Sequence, residues 1–390
     1  MITVKEALAF IKNNCTRLEN RHMPLRDAIG FTLAEDIFSK IDLPPFRQSA
    51  MDGYAIREHE SFTYKVIGEL QAGDSADIHL KRGEAVRIFT GAKVPETATR
   101  ILMQEHVSKS NKIITYQKAA FGKTNVKDPG EQIKKGAVAL PQGTLLNTAA
   151  IAFLSGLGIG EVAVYKMPKV AILVTGNELQ IPGTQLAAGK IFDSNSIMLQ
   201  LLLKKAGIQE LETIFVGDTK KETVAIVKQL LNDYDFLIAS GGISVGEYDL
   251  MRDAFKVNGV NEHFYKINQR PGKPIYFGTT NKATVFGLPG NPAACFINFQ
   301  AYVLPALQLA MGQREVSRFK KAQILESLAN NTGKCLFLRA TVSGNTVKVA
   351  SNQSSSMLQS LIAANALVYI PSETNVIEKG TEVYYLDILQ

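Results

Sequence analysis

Apolar positions along this chain fall into alternating regimes. Near the amino end Val4, Ala7, Leu8 and Ile11 recur at helical spacing. The stretch Asp42-Leu43-Pro44-Pro45-Phe46 then forces extended backbone, because proline lacks an N–H donor and restricts the residue before it. Over residues 64–140 the apolar runs are short (64–67, 85–89, 112–116) and punctuated by Gly or Pro, which predicts a β-rich module. Residues 147–157 turn helical again. Gly156, Gly158 and Gly160 end that helix, and a strand-like EVAVYK follows.

From residue 169 a different rhythm begins. Strand-like runs at 169–174, 213–216, 236–239 and 284–287 each end in a polar, Gly-containing loop. Helical patterns separate them: 193–205 turns Leu199, Leu202 and Leu203 inward, and a second places Val224, Val227, Leu230 and Leu231 on one face. Alternation of this kind predicts a parallel sheet covered on both faces, with ligands at the carboxyl ends of the strands. After about Arg314 the texture is β to the end, read as a small barrel or sandwich over 315–390.

The 390 residues exceed what one core usually holds, so several domains are expected. With 46% hydrophobic and 20% charged residues, a disordered chain is excluded. The apolar stretches read as too short to span a membrane, and MITVKEALAF is not a secretory signal; a cytoplasmic protein is expected. Cys15, Cys295 and Cys335 are scattered without a CxxC pair, which argues for reduced thiols and against zinc. Net charge is +7, which suits anionic ligands, but no long Lys/Arg tract supports nucleic-acid binding. The five histidines are isolated, so a hydrolase triad has no support.

The strand-end loops carry the candidate chemistry. They offer Thr175, Gly176, Glu178, Asp218, Ser240, Gly241, Gly242, Ser244, Asp249 and Asn291. Glycines let backbone N–H groups approach a phosphorylated ligand. Glu178, Asp218 and Asp249 suit magnesium, which prefers oxygen ligands. Asn291 before Pro292 reads as the N-cap of a helix whose amino end suits phosphate. The same residue types are ordinary turn and cap formers, and that reading stays open for each. Gln269-Arg270-Pro271-Gly272-Lys273-Pro274 fixes a turn presenting two cations to an oxyanion, or simply a solvated hairpin tip. Asp52, beside the rigid Pro44-Pro45 stretch, and Thr90, at a strand end, are further candidates. No GxxxxGK[ST] and no GxGxxG follows the first strand, so a P-loop NTPase and a dinucleotide dehydrogenase are unsupported.

Taken in order, PPFRQSAMDGYAI, RIFTGAKVP, VTGNEL, DSNSIML, SGGISVGEYD, RPGKPIYFG, FGLPGNPAACFINF and SSSMLQSLIAANALVYIP resemble the MoeA family, to which the gephyrin E domain is related. The resemblance runs from about residue 5 to the end. It implies an elongated discontinuous domain (1–41 and 144–168), an inserted β-rich domain (42–143), a MogA-like α/β domain (169–314) and a C-terminal β-barrel (315–390). It implies a homodimer whose active cleft draws on both subunits. The implied reaction converts molybdate and adenylylated molybdopterin to molybdenum cofactor and AMP with Mg2+, with transient contact to a MogA-type adenylyltransferase and to apo-molybdoenzymes.

By motif, Asp52 and Thr90 would lie on the cleft side of the β-rich domain. Glu178, Asp218, Ser244 and Asp249 would surround the adenylyl and magnesium region, beside Gly176, Ser240, Gly241 and Gly242. Lys266 and Lys273 would meet the anionic ligands, and Pro289, Gly290, Asn291 and Pro292 would shape the adjoining loop. Arg339 and Ser355 would belong to a molybdate pocket. One loop departs from the family's GxxIRxxG pattern: Lys134 stands for arginine, and Ala137 for an acidic residue. Two alternatives share parts of this pattern, a MogA-type adenylyltransferase and a non-enzymatic gephyrin-like scaffold.

Overall fold

The computed structural model describes residues 1–117, 122–217, 219–243, 250–314 and 318–388. At its centre a six-stranded sheet runs in the order Leu211–Val216, Val170–Thr175, Phe236–Ser240, Thr284–Leu288, Pro274–Thr279, Asn261–Lys266. The first four strands are parallel. The last two add an antiparallel hairpin at one edge, so the sheet is parallel only in the part that sequence periodicity had revealed.

Alternate residues of Val170–Thr175 explain why this strand reads as one unbroken apolar run. Val170, Ile172 and Val174 pack with Leu199 and Leu203 on one face. Ala171 and Leu173 pack with Val227, Leu231, Met251 and Phe255 on the other. With both faces covered, the strand is apolar up to Val174, and its one polar side chain, Thr175, stands at the carboxyl end.

The segment Pro292–Ala310 is one continuous helix, long and apolar enough to cross a membrane, which corrects the expectation that no stretch approaches that length. Yet 83% of its apolar window is buried inside the fold. It is apolar all round because it lies between the sheet, the barrel and the amino-terminal helix. Its middle, Phe299–Val303, widens into a π-turn.

The amino-terminal helix Val4–Asn14 starts in a capping box between Thr3 and Glu6. Its apolar side, Val4, Ala7 and Ile11, joins the same core as Leu307 and Ala310. By packing it therefore belongs with the α/β unit, although the chain then leaves for another region. There Asn20–Pro24 pairs with Glu161–Tyr165 over the helix Thr148–Gly156, capped by the Asn147 side chain at 2.9 Å from the Ala150 N–H.

The inserted β module orders its strands Arg100–Met103, Gly53–Ile56, Glu84–Ile88, Thr63–Leu70, Ile113–Tyr116, Val107–Ser110. The C-terminal strands close a barrel: Cys335–Ser343, Thr346–Val349, Phe319–Ile324, Glu382–Asp387 and Ala366–Ile370, which returns to Cys335–Ser343. The short strand Gln269–Arg270 pairs with the first residues of Cys335–Ser343 and fastens the barrel to the α/β unit.

Candidate active site

A cleft of 940 Å³ opens at the carboxyl ends of Val170–Thr175, Phe236–Ser240 and Thr284–Leu288. Gly176, Glu178, Ser240, Gly241, Gly242, Pro289, Gly290, Asn291 and Pro292 line it, so three separate strand-end loops converge as expected for such a sheet. The Ser240-Gly241-Gly242 loop requires its glycines. Gly241 and Gly242 have φ of 89° and 64°, and added Cβ atoms would lie 2.6 Å from the Thr175 carbonyl oxygen and 2.8 Å from the Thr175 hydroxyl. The cleft floor is thus backbone that a side chain would push outward.

Sequence reasoning passed over Asp193 and Asn195, both buried in the wall of this cleft. Asp193 accepts hydrogen bonds from the Ser196 N–H (3.1 Å) and hydroxyl, securing the start of the helix Asn195–Lys205. The Asn195 amide donates to the Ser240 hydroxyl (3.1 Å) and the Gly290 carbonyl (2.9 Å), tying three loops together. DSNS read as a helix start and as part of a family motif, without a site role for either residue, because nothing local shows which strand ends lie across from it.

Through Pro274, Pro289 and Asn291 this cleft adjoins a second, of 850 Å³, between the α/β unit and the barrel. Arg270, Lys273 and Lys334 line it with Gln353, Ser354 and Ser355, and among the described residues no carboxylate is in its wall. Three cations with no counter-charge among the described residues of the wall fit a tetrahedral oxyanion. Lys334 is the residue that sequence reasoning missed here. The motif match had pointed five positions on, to Arg339.

Arg339 itself is 0% exposed and lines neither cleft. Its guanidinium donates to the Gln353 side-chain oxygen (3.2 Å) and to the carbonyls of Ser354 (2.9 Å), Met357 (3.2 Å) and Asn352 (3.3 Å). These bonds tie it to the loop that carries Ser355, which does line the cleft.

Two further expectations need adjustment. Asn291 stands at the N-cap position, but its side chain makes no capping hydrogen bond. The helix start also has fewer free donors than an anion site wants: Pro292 has no N–H, and that of Ala293 is spent on the Ser355 carbonyl at 3.2 Å. Lys266 lines neither cleft; its ammonium lies 4.8 Å from the Tyr265 ring centre.

In the β module Asp52 and Thr90 do meet. One Asp52 oxygen accepts from the Thr90 N–H at 2.7 Å and the Thr90 hydroxyl at 2.8 Å. These bonds, the backbone one foremost, hold the Asp52 carboxyl below its ordinary range. Neither residue lines either cleft of this chain.

Comparison with known proteins was decisive. Residues 2–158 match the MoeA N-terminal region (domain I and II), 171–309 a probable molybdopterin binding domain, and 321–388 the MoeA C-terminal region (domain IV). A molybdopterin molybdenumtransferase of Staphylococcus epidermidis is 32% identical over 98% of this chain and 94% of its own length. The chain belongs to the MoeA family. A Staphylococcus aureus member bearing the same enzyme name is also 32% identical, over 98% of this chain and 94% of its own. The crystal structure of a molybdopterin biosynthesis MoeA protein from Pyrococcus horikoshii superposes with TM-score 0.86 at 30% identity, covering 99% of this chain and 100% of that one.

Of the magnesium ligands expected for a MoeA protein, Asp218 and Asp249 lie outside the described residues, as does Ser244. Among the described residues no three His, Cys, Asp or Glu side chains gather into a metal site. Glu178 fits the role in part. Its carboxylate is in the cleft wall, and no described residue hydrogen-bonds to it or pairs with it. Asp193, by contrast, is committed to Ser196.

Proposed function

We propose that this chain is a molybdenum insertase, converting molybdate and adenylylated molybdopterin to molybdenum cofactor and AMP. The observation that carries this reading is the pair of adjoining clefts with different chemistry. The first, walled by glycine backbone and small polar side chains, suits an adenylylated pyrophosphate, whose oxygens accept from N–H groups. The second, walled by Arg270, Lys273 and Lys334, suits molybdate. Their shared edge at Pro274, Pro289 and Asn291 brings the oxyanion beside the substrate it is to join.

In this reading Lys273, on the turn nearest that edge, receives molybdate, and Ser355 adds a hydroxyl. The cations neutralise the dianion as water adds at the pyrophosphate phosphorus and AMP leaves the glycine-lined cleft; molybdate then takes the dithiolene sulfurs in exchange for oxygen that leaves as water with the thiol protons. Glu178, with Asp218 and Asp249, would hold Mg2+, which supplies charge neutralisation at phosphate oxygens. Asp52, kept ionised by Thr90, and Lys266 would serve the cleft from outside these two walls.

We place the chain in the cytoplasm as a homodimer, divided at residues 42, 144, 169 and 315 with the first helix packed on the third unit. Its product would pass to apo-molybdoenzymes and its substrate would come from an adenylyltransferase. Two exposed apolar surfaces support self-association. One joins Ile191, Phe192, Ile197 and Leu201 beside the first cleft, and the other joins Phe38 and Val138 on paired strands. A second copy would also explain how the Asp52–Thr90 pair reaches a cleft.

The test is molybdate-dependent release of AMP from adenylylated molybdopterin with Mg2+, alongside reconstitution of an apo-molybdoenzyme. Release with reconstitution supports insertion. Folded protein that releases no AMP refutes it.

A further inference from the structure

Behind the Arg270–Lys273 turn lies a buried polar cluster that the reaction itself does not use. Gln269 is 1% exposed, and Asn298 and Tyr302 are 0% exposed. The Gln269 amide donates to Asn298 Oδ1 at 2.8 Å and to the Pro271 carbonyl at 3.0 Å. The Asn298 amide donates to the Gly272 carbonyl at 3.2 Å. The Tyr302 hydroxyl donates to Gln269 Oε1. Every polar atom of the cluster is therefore answered by the turn or by another member. In an apolar helix core such groups are costly unless fully paired.

Three local features fit this arrangement. Gly272 has φ of 81°, and a Cβ there would lie 2.6 Å from Asn298 Oδ1, so the turn sits directly on the amide. Asn298 is the last residue before the π-turn Phe299–Val303. Asn298 and Tyr302 are four residues apart on this helix, so they share a face and both meet the Gln269 side chain. Gln269 also pairs in register with Cys335, whose N–H donates to the Asn268 carbonyl at 3.1 Å. Lys334 immediately precedes Cys335, so one cluster sets the spacing between the turn's cations and the barrel's.

We propose that Gln269, Asn298 and Tyr302 are positioning residues that hold Arg270 and Lys273 at a fixed separation from Lys334, and thereby set the affinity of the second cleft for a tetrahedral oxyanion. This rests on reading that cleft as the molybdate site.

The test uses the full chain and two variants, Asn298→Leu and Tyr302→Phe. Molybdate binding is measured by titration calorimetry, and amide exchange of the segment 266–274 by mass spectrometry. Asn298→Leu removes one of the two bonds to the Gly272 carbonyl, the other being from the Gln269 amide at 3.3 Å, and takes the Asn298 acceptor from that amide; the expected weakening of molybdate binding is at least about tenfold. Tyr302→Phe removes one bond from the back of the cluster, and about threefold is expected. In both, exchange of 266–274 quickens while that of the parallel strands does not. Folded variants whose dissociation constants stay within about twofold of wild type, or whose 266–274 exchange is unchanged, overturn the proposal. If Asn298→Leu does not fold, Tyr302→Phe decides alone. If the wild-type chain binds no molybdate, it is the molybdate reading of the cleft that fails, and the exchange measurement then decides whether the cluster holds the turn.

Discussion

Replacing Arg339 with Met keeps much of the buried stem but removes the guanidinium that is bonded to Gln353 and to three carbonyls of the 352–357 loop. Removing one partner of a buried charged network costs about 3–5 kcal/mol. Asn352, Ser354 and Met357 are exposed, so water partly replaces the lost donors, and about 3 kcal/mol is the better figure. Spread over a barrel of this size, that lowers its melting transition by roughly 10–20 °C. Domains in such a chain need not melt together, so the quantity to follow is the barrel's own transition in scanning calorimetry. Lys334→Ala supplies the contrast: a melting temperature almost unchanged, since substitutions away from buried networks stay within about 0.5 kcal/mol, but weakened molybdate binding. An Arg339→Met protein that melts like wild type yet no longer binds molybdate would refute this reasoning and return the guanidinium to the ligand.

Other outcomes follow from the same geometry. Gly242→Ala places a Cβ 2.8 Å from both Thr175 Oγ1 and Met251 Cγ at positive φ, so AMP release should fall at least about tenfold while the melting temperature drops by only a few degrees; unchanged kcat and KM would contradict the tight floor. Because the folded Asp52 pKa lies below its unfolded value, the stability it contributes is present above the unfolded carboxylate pKa of about 3.9 and is lost as pH falls through the folded value. The stability gap between wild type and Asp52→Asn should therefore be flat above about pH 5 and close on acidification; a gap that widens in acid would contradict the Thr90 contacts. Burial pushes the Cys295 thiol up to about 12 and the Cys15 thiol up to about 11. Neither should react with iodoacetamide at about pH 8 until the chain unfolds, as peptide mapping would report.

Much of this molecule was legible in order along the chain. Period and punctuation located the parallel strands, because a strand buried on both faces is apolar along its length, as Val170–Thr175 is up to Val174. The Gly-rich ends of those strands marked the first cleft, because only glycine fits where Thr175 backs the Ser240-Gly241-Gly242 loop. The motif order carried the family, and the RPGKP turn the second cleft.

What the sequence withheld was which side chains of distant segments meet. Arg339 and Lys334 are both basic residues near one barrel strand. Only packing decides that Arg339 is buried beneath a loop while Lys334 lines the cleft. The edge strand Asn261–Lys266 lacks the apolar run of the central strands, and the antiparallel sense of the buried strand Pro274–Thr279 is set by pairing that no local pattern shows. The helix Pro292–Ala310 has the composition of a membrane span, and only its neighbours in the fold make it a core. Local pattern records how each residue meets water, whereas which polar groups meet each other depends on loop closures across hundreds of residues, and those the tertiary structure alone decides.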